Sequence, residues 1–330
     1  MKKSLKGQLV TIIGAIFVIV SLLYLGKSFT TGIIEAGGLQ NLLQFDVSWF
    51  LIAAVFLIIH LVVAGYTWTL VTNASGGKIT LKQGFSIHFL SQIGKYVPGK
   101  IWAAMGKYSL SRSVGLTNTQ VGQGLVLETI FIVLGCILTT IPLVSVAATD
   151  SGYAVSTGIM VAAGLSMILL FILHPIVFRK ISSLIQKVMK SHFPIKERSF
   201  FEMLRILLVY VLVFIALGVA FWFLSLSFGL SMPFFPGIFI YPAAMGIGYL
   251  VIFAPGGIGA RELTTVWLVH LIVPNCEPGL AEMVALAARL WITIGEALGF
   301  AVSFWLFGVT PSSLKKLMLS GRLSDGDSIQ

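Results

Sequence analysis

G-K-Y-V-P-G-K-I-W runs from Gly94 to Trp102, and F-A-P-G-G-I-G-A-R-E runs from Phe253 to Glu262. Each is a Pro-Gly turn set inside apolar sequence. Proline lacks a backbone donor and glycine is conformationally loose, so each turn breaks a helix. Within a bilayer, a broken helix is tolerated only where protein or a water-filled cavity satisfies the released backbone groups. Both turns also carry charge, with Lys95 and Lys100 at the first and Arg261 and Glu262 at the second. Broken helices with charge at corresponding places in two halves point to a transport pathway.

The composition around these turns sets the class. Apolar residues make up 57% of the 330-residue chain and charged residues only 10%, with a mean hydropathy of +0.98. Soluble domains carry roughly 25% charged residues, so the chain reads as an all-α polytopic membrane protein. The net charge of +10 does not argue for nucleic acid. The bases sit in short loops beside apolar runs, and there is no basic face with interleaved aromatics. They read as topogenic charge with attraction to anionic headgroups. Cys136 lies in an apolar run and Cys276 in a loop, with neither metal spacing nor a disulfide framework. The N-terminal lysines and the apolar run Leu9 to Leu25 resemble a signal peptide. Gly26-Lys27-Ser28-Phe29 follows instead of a small-residue cleavage site, so an uncleaved first span is expected.

A helix needs about 20 apolar residues to cross the hydrocarbon core. Uninterrupted spans are expected at Leu9–Leu25, Ser48–Val71, Val121–Val146, Ala154–Phe178, Leu204–Phe228 and Met283–Phe307. Two apolar stretches are interrupted: Leu81–Leu110 by the first Pro-Gly turn and Pro236–Val273 by the second. If both are re-entrant hairpins, six spans put both termini on one face. All 22 basic residues except Lys27, Arg261 and Arg289 then fall on that face, including Lys78, Lys82, Lys107 and Arg112 beside the first hairpin. The positive-inside rule makes it cytoplasmic. Two crossings in place of the second hairpin would leave the termini where they are, so eight spans remain the alternative. Apolar residues among the bases of 179–199 (Ile181, Leu184, Ile185, Val188) suit either an amphipathic surface helix or a solvated linker.

With re-entrant hairpins an inverted repeat emerges inside a single transmembrane domain, 1–330. Its halves are about 47–178 and 201–308, joined by the connector 179–199 and followed by a cytoplasmic tail at 309–330. Span, hairpin and span recur with opposite topology, as in many secondary transporters. Glu128 follows Pro98-Gly99, and Arg289 follows Pro255-Gly256 at a similar distance along the chain.

Ionisable residues inside a membrane helix are costly, so each is a functional candidate whose partner should be named. Glu128 and Arg289 are expected to face a shared interior cavity and interact; a structural ion pair is the alternative. Glu296 lies seven residues beyond Arg289, on nearly the same helix face. Lys95, Lys100 and Lys107 have the chemistry of phosphate ligands, assisted by N–H groups at the helix start after Pro98-Gly99. Ordinary cytoplasmic charge is the alternative. Arg261 and Glu262, directly after Gly256-Gly257-Ile258-Gly259, make either the matching headgroup contact or a capping pair. His60, His88, His174 and His270 stand apart without metal-ligand spacing, and Trp49, Trp68, Trp102 and Trp305 fit an interfacial belt. The glycine run is no nucleotide fingerprint, because no strand precedes it.

The motif from Gly94 through Tyr96, Pro98 and Gly99 to Lys100, then Glu128, then Ala254 to Glu262, then Arg289, resembles the lysylphosphatidylglycerol synthase transmembrane (flippase-domain) family. The resemblance covers roughly Leu9 to Phe307. It implies a lipid translocase for an anionic or lipid-linked headgroup, in the plasma membrane of a prokaryote. The family often has a basic residue directly after the glutamate, where this chain has Thr129. The chain ends soon after its last expected span, so a translocation module without a soluble aminoacyl-transferase domain is expected.

The expected substrate contacts are therefore Lys95, Tyr96, Pro98, Gly99, Lys100, Lys107, Arg112, Glu128, Pro255, Gly256, Gly257, Arg261, Glu262, Arg289 and Glu296. Two hairpins would shield a polar cavity through which an anionic phospholipid or polyprenyl-phosphate-linked headgroup crosses while its tails stay in lipid. No cofactor, metal or nucleic acid is expected, and homo-oligomerisation is left open. The rival readings are a membrane-embedded transferase acting on a lipid phosphate and a non-catalytic scaffold subunit.

Overall fold

The computed structural model describes residues 45–96, 101–150, 199–251 and 254–307, with isolated positions between 23 and 34 and between 164 and 184. The spans expected at Leu9–Leu25 and Ala154–Phe178, the connector 179–199 and the tail 309–330 lie outside these residues apart from isolated positions. Pro98, Gly99 and Lys100 lie outside them as well.

Among the described residues the chain is helical. Its α-helices are α1 (Val47–Ala74), α2 (Leu81–Gln92), α3 (Ile101–Ser113), α4 (Asn118–Asp150), α5 (Phe200–Ser227), α6 (Phe234–Leu250), α7 (Ala260–Ile272) and α8 (Leu280–Phe307). Four are long and apolar enough to cross a bilayer: α1, α4 over Asn118–Leu143, α5, and α8 over Leu280–Leu306. The protein is a polytopic, all-α membrane protein.

These helices begin a few residues before their apolar runs, because polar caps extend them. The Asp46 carboxylate accepts the Ser48 N–H at 2.7 Å ahead of α1. Thr117 and Gln120 form a capping box at α4: the Gln120 N–H donates to Thr117 Oγ1 at 3.2 Å, and the Thr117 N–H to Gln120 Oε1 at 2.9 Å. The Ser199 hydroxyl accepts the Glu202 N–H at 3.2 Å ahead of α5. Thr80 and Gln83 repeat the capping box at α2.

Both interrupted stretches are helix, short break, helix. A 3-10 turn at Ile93–Tyr96 closes α2, and another at Pro255–Gly257 lies between α6 and α7. The helices α2 and α3 hold 12 and 13 residues, about 18 and 20 Å of length at 1.5 Å per residue. The helices α6 and α7 hold 17 and 13 residues, about 25 and 20 Å.

The chain forms two compact units. Unit one comprises Met1–His60, Cys136–Ser166 and Val213–Gly295; unit two comprises Leu61–Gly135, Met167–Leu212 and Glu296–Gln330. Each of the four long helices contributes a stretch to both. In unit two, α1 lies close against α2: a Cβ at Gly84 would sit 1.8 Å from Thr69 Oγ1, and one at Gly65 would sit 2.3 Å from the Phe85 ring. Trp68 and Phe131 are fully buried there, and Phe131 stacks on Tyr210 with centroids 5.9 Å apart. Gly299 of α8 makes room for the Phe89 ring of α2. In unit one, α5 and α6 touch through backbone, since a Cβ at Gly218 would lie 1.7 Å from the Ile238 carbonyl oxygen. Phe221 stacks on Tyr241 beside this contact at 5.2 Å.

Candidate functional site

The first hairpin folds back on itself because Gly94 has no side chain. A Cβ there would lie 2.5 Å from the Ala103 backbone nitrogen, so α3 packs against the end of α2. The tip carries Lys95 and Tyr96, and α8 sends Glu296 to meet them. Lys95 forms an ion pair with one carboxylate oxygen of Glu296, and the Tyr96 hydroxyl donates to the other at 3.0 Å. The Lys95 ammonium also lies 5.2 Å from the centroid of the Tyr96 ring. The Lys95 and Glu296 side chains each keep 16% of their surface exposed, so this clasp is only partly buried.

Deeper in the same unit, Lys107 of α3 meets Glu128 of α4 at 2.5 Å. The residues are only 5% and 8% exposed. The Lys107 ammonium also lies 4.7 Å from the Trp68 ring. The Trp68 indole N–H donates to Ser111 Oγ at 3.2 Å, and Gly124, one turn before Glu128, gives the indole its space. Charge, ring face and hydroxyl form a closed set. Arg112, at the end of α3, donates to the Leu116 carbonyl and closes the loop into α4.

The second turn is held differently. Gly256, Gly257 and Gly259 have φ of 59°, 70° and 84°, the left-handed region that costs a side-chain-bearing residue about 1–2 kcal/mol. This backbone turns α6 into α7 within a few residues. Glu262 reaches back so that its Oε2 accepts the Gly259 N–H at 2.6 Å, which caps α7. Its other oxygen lies 3.5 Å from Arg289 Nε of α8, and Arg289 Nη1 donates to the Gly256 carbonyl at 3.1 Å. Arg261 is 4% exposed. Its stem packs on Gly248 and Gly257, and its guanidinium lies 5.6 Å from the Tyr249 ring centroid.

The expected residues therefore fall into separate clusters. Lys95, Tyr96 and Glu296 come together, as do Gly256, Glu262 and Arg289. Glu128 and Arg289 were expected to partner one another; the structure gives Glu128 to Lys107 and Arg289 to Glu262. Lys107, expected to contact phosphate, is engaged by Glu128, and Arg112, expected among the substrate contacts, by the Leu116 carbonyl. Glu262 takes the capping role that was the alternative to a headgroup contact. Trp68, assigned from sequence to the interfacial belt, is fully buried beneath Lys107. The signal for it was available: Trp68 lies in a helix whose neighbours Thr67, Thr69 and Thr72 are polar and buried, unlike a lipid-facing ring. Ser111 and Tyr249 gave no such signal.

The profile of the lysylphosphatidylglycerol synthase TM region matches residues 11–299. The chain belongs to the lysylphosphatidylglycerol synthase transmembrane-region family. No curated protein matches it significantly. For this family member, both Pro-Gly turns and all three charged clusters lie inside the matched range. Membership gives the protein a lipid-related function in the membrane.

Proposed function

We propose that the protein is a lipid translocase rather than an enzyme. It moves an anionic phospholipid or a polyprenyl-phosphate-linked headgroup between the leaflets of a prokaryotic plasma membrane, with both termini cytoplasmic. Its two broken stretches act as re-entrant hairpins. What supports this reading is their length together with their charge. The arms α2 and α3, at about 18 and 20 Å, fall short of the roughly 30 Å hydrocarbon core. Helices this short strand their terminal backbone groups inside the bilayer unless protein or water receives them, and both turns carry ionised side chains. The clasp of Lys95 and Tyr96 on Glu296 is the element suited to opening, because its side chains are less deeply buried than those of Lys107 and Glu128. The tails remain in lipid while the headgroup follows the polar route.

The test is leaflet exchange in liposomes holding purified protein, with fluorescent phosphatidylglycerol and a polyprenyl-phosphate analogue as cargo. Wild type should exchange at least one of them, and Lys95→Met or Glu296→Gln should lower the rate tenfold or more without loss of fold. Absence of exchange for both lipids, with a new lipid formed when soluble donors are added, would replace the translocase by a transferase.

A further inference from the structure

Along most of its length α2 is buried on every side but one. From Gly84 to Gln92 only Phe85, His88 and Gln92 escape burial, and their spacing puts them on one narrow stripe of the helix. Lys95 and Tyr96 continue it. The 3-10 turn that closes α2 sets Lys95 over Gln92, because side chains three residues apart eclipse in that geometry. The stripe rises about 6 Å from His88 to Gln92 and about 6 Å more to Lys95. A side of α2 turned to lipid would be apolar, whereas ionisable groups on a membrane-embedded helix face the bundle interior or a water-filled cavity. Beyond Phe85 this stripe is wholly polar. The helix α8 borders it, meeting α2 at Lys95 through Glu296 and at Phe89 through Gly299. All of these residues belong to unit two.

The side chains below the clasp suit neutral hydrogen bonding. The Gln92 amide nitrogen lies 3.3 Å from His88 Nε2, and the His88 ring stands edge-on to Phe89 with centroids 5.0 Å apart. These contacts orient both side chains before a ligand arrives, which lowers the cost of binding one. The Gln92 amide oxygen has no hydrogen-bond partner among the described residues. We propose that Gln92 and His88 bind hydroxyl groups of the cargo headgroup, directly below the clasp that receives its phosphate, and so select a glycerol or sugar headgroup. A side-chain amide both donates and accepts, as a hydroxyl does. A site built to hydrogen-bond a substrate hydroxyl rejects the analogue lacking it, because its own polar groups are then left unpaired. This deepens the translocase reading and rests on it for the re-entrant hairpin and for lipid as the cargo.

The test compares lipids of equal charge that differ in their hydroxyls. One pair is phosphatidylglycerol and phosphatidylmethanol; the other is a polyprenyl-phosphate hexose and methyl polyprenyl phosphate. Each is measured on the full chain as leaflet exchange in liposomes and as binding by native mass spectrometry. Wild type should favour the hydroxylated member of at least one pair about fivefold or more, the effect of a single hydrogen bond. Gln92→Met and His88→Phe should each erase that preference, and His88→Gln, which keeps a donor and an acceptor, should retain part of it. Equal behaviour of both members of both pairs with wild type would overturn the proposal, and this comparison needs no variant to fold. Variants that slow or weaken both members alike, with the preference intact, would overturn it too, since that is what a purely structural role predicts. A preference in binding without leaflet exchange would sink the translocase reading alone. Exchange without a preference would sink this one alone.

Discussion

Replacing Glu128 separates a structural ion pair from a substrate contact. Lys107 and Glu128 are 2.5 Å apart, and at an effective dielectric of about 20 their gross attraction is about 7 kcal/mol. Much of that offsets the desolvation of two groups that are 5% and 8% exposed. Glu128→Gln removes the attraction and keeps the penalty on Lys107. The ring of Trp68 returns only about 0.5–2 kcal/mol to a cation. The expected net loss is about 3–5 kcal/mol, the usual cost of breaking a buried pair from one side. Removing both charges, as in Lys107→Met with Glu128→Leu, should recover most of it, because apolar replacement of a buried pair is often neutral. The assays are unfolding by denaturant in mixed micelles and leaflet exchange in liposomes. The single variant should be destabilised and slow, and the double variant stable and active. A double variant that is as stable as wild type yet exchanges no lipid would refute the structural assignment and return Glu128 to the substrate path. A single variant of wild-type stability would refute the energetic reasoning itself.

Glu296→Gln should cost less stability and act mainly on exchange. Its pair with Lys95 is partly exposed, so the loss should be about 1–3 kcal/mol, between surface and buried pairs, while exchange falls tenfold; unfolding and exchange measured on one preparation decide this. Gly218→Ala should cost at least about 1–3 kcal/mol, because its Cβ would lie 1.7 Å from the Ile238 carbonyl oxygen; a wild-type melting temperature would contradict the α5–α6 packing. Burial, with smaller contributions from Glu282 and Glu277, raises the Cys276 thiol to about 11 despite an opposing backbone hydrogen bond at Ala281. In a Cys136→Ala background the maleimide rate should therefore rise about tenfold per pH unit and still be rising at pH 9.5, because the thiolate is the nucleophile. A plateau near pH 8.5, the value of an ordinary thiol, would show that the partial burial of Cys276 does not hold its thiol up.

The helices were legible because a bilayer demands long apolar runs, and Ser48–Val71, Leu204–Phe228 and Met283–Phe307 differ from the observed α1, α5 and α8 by no more than a turn at either end. The displaced ends follow from Asp46, Thr117 and Ser199, polar residues that lie outside an apolar run but still start the helix. Both breaks were legible because proline and glycine act locally. Partnership was not legible, because Glu128 and Arg289 reach their partners through the direction of side chains and the packing of helices, which residue spacing does not encode. Spacing did place Arg289 and Glu296, seven residues apart, on one face of α8.

A buried charge seen in sequence is a question about compensation, and only the structure answers it. Lys107 and Glu128 cancel, and Lys95 and Glu296 cancel where burial is less complete. Glu262 answers Arg289 and the backbone of Gly259. Arg261 meets the Tyr249 ring rather than the carboxylate beside it, even though in sequence it looked like half of an Arg-Glu pair. Adjacent residues on a helix point about 100° apart, so Glu262 faces the glycine turn and α8 while Arg261 faces Gly248 and Tyr249. Neighbours in sequence thus take unrelated partners, the carboxylate a backbone N–H and an arginine, the guanidinium an aromatic ring.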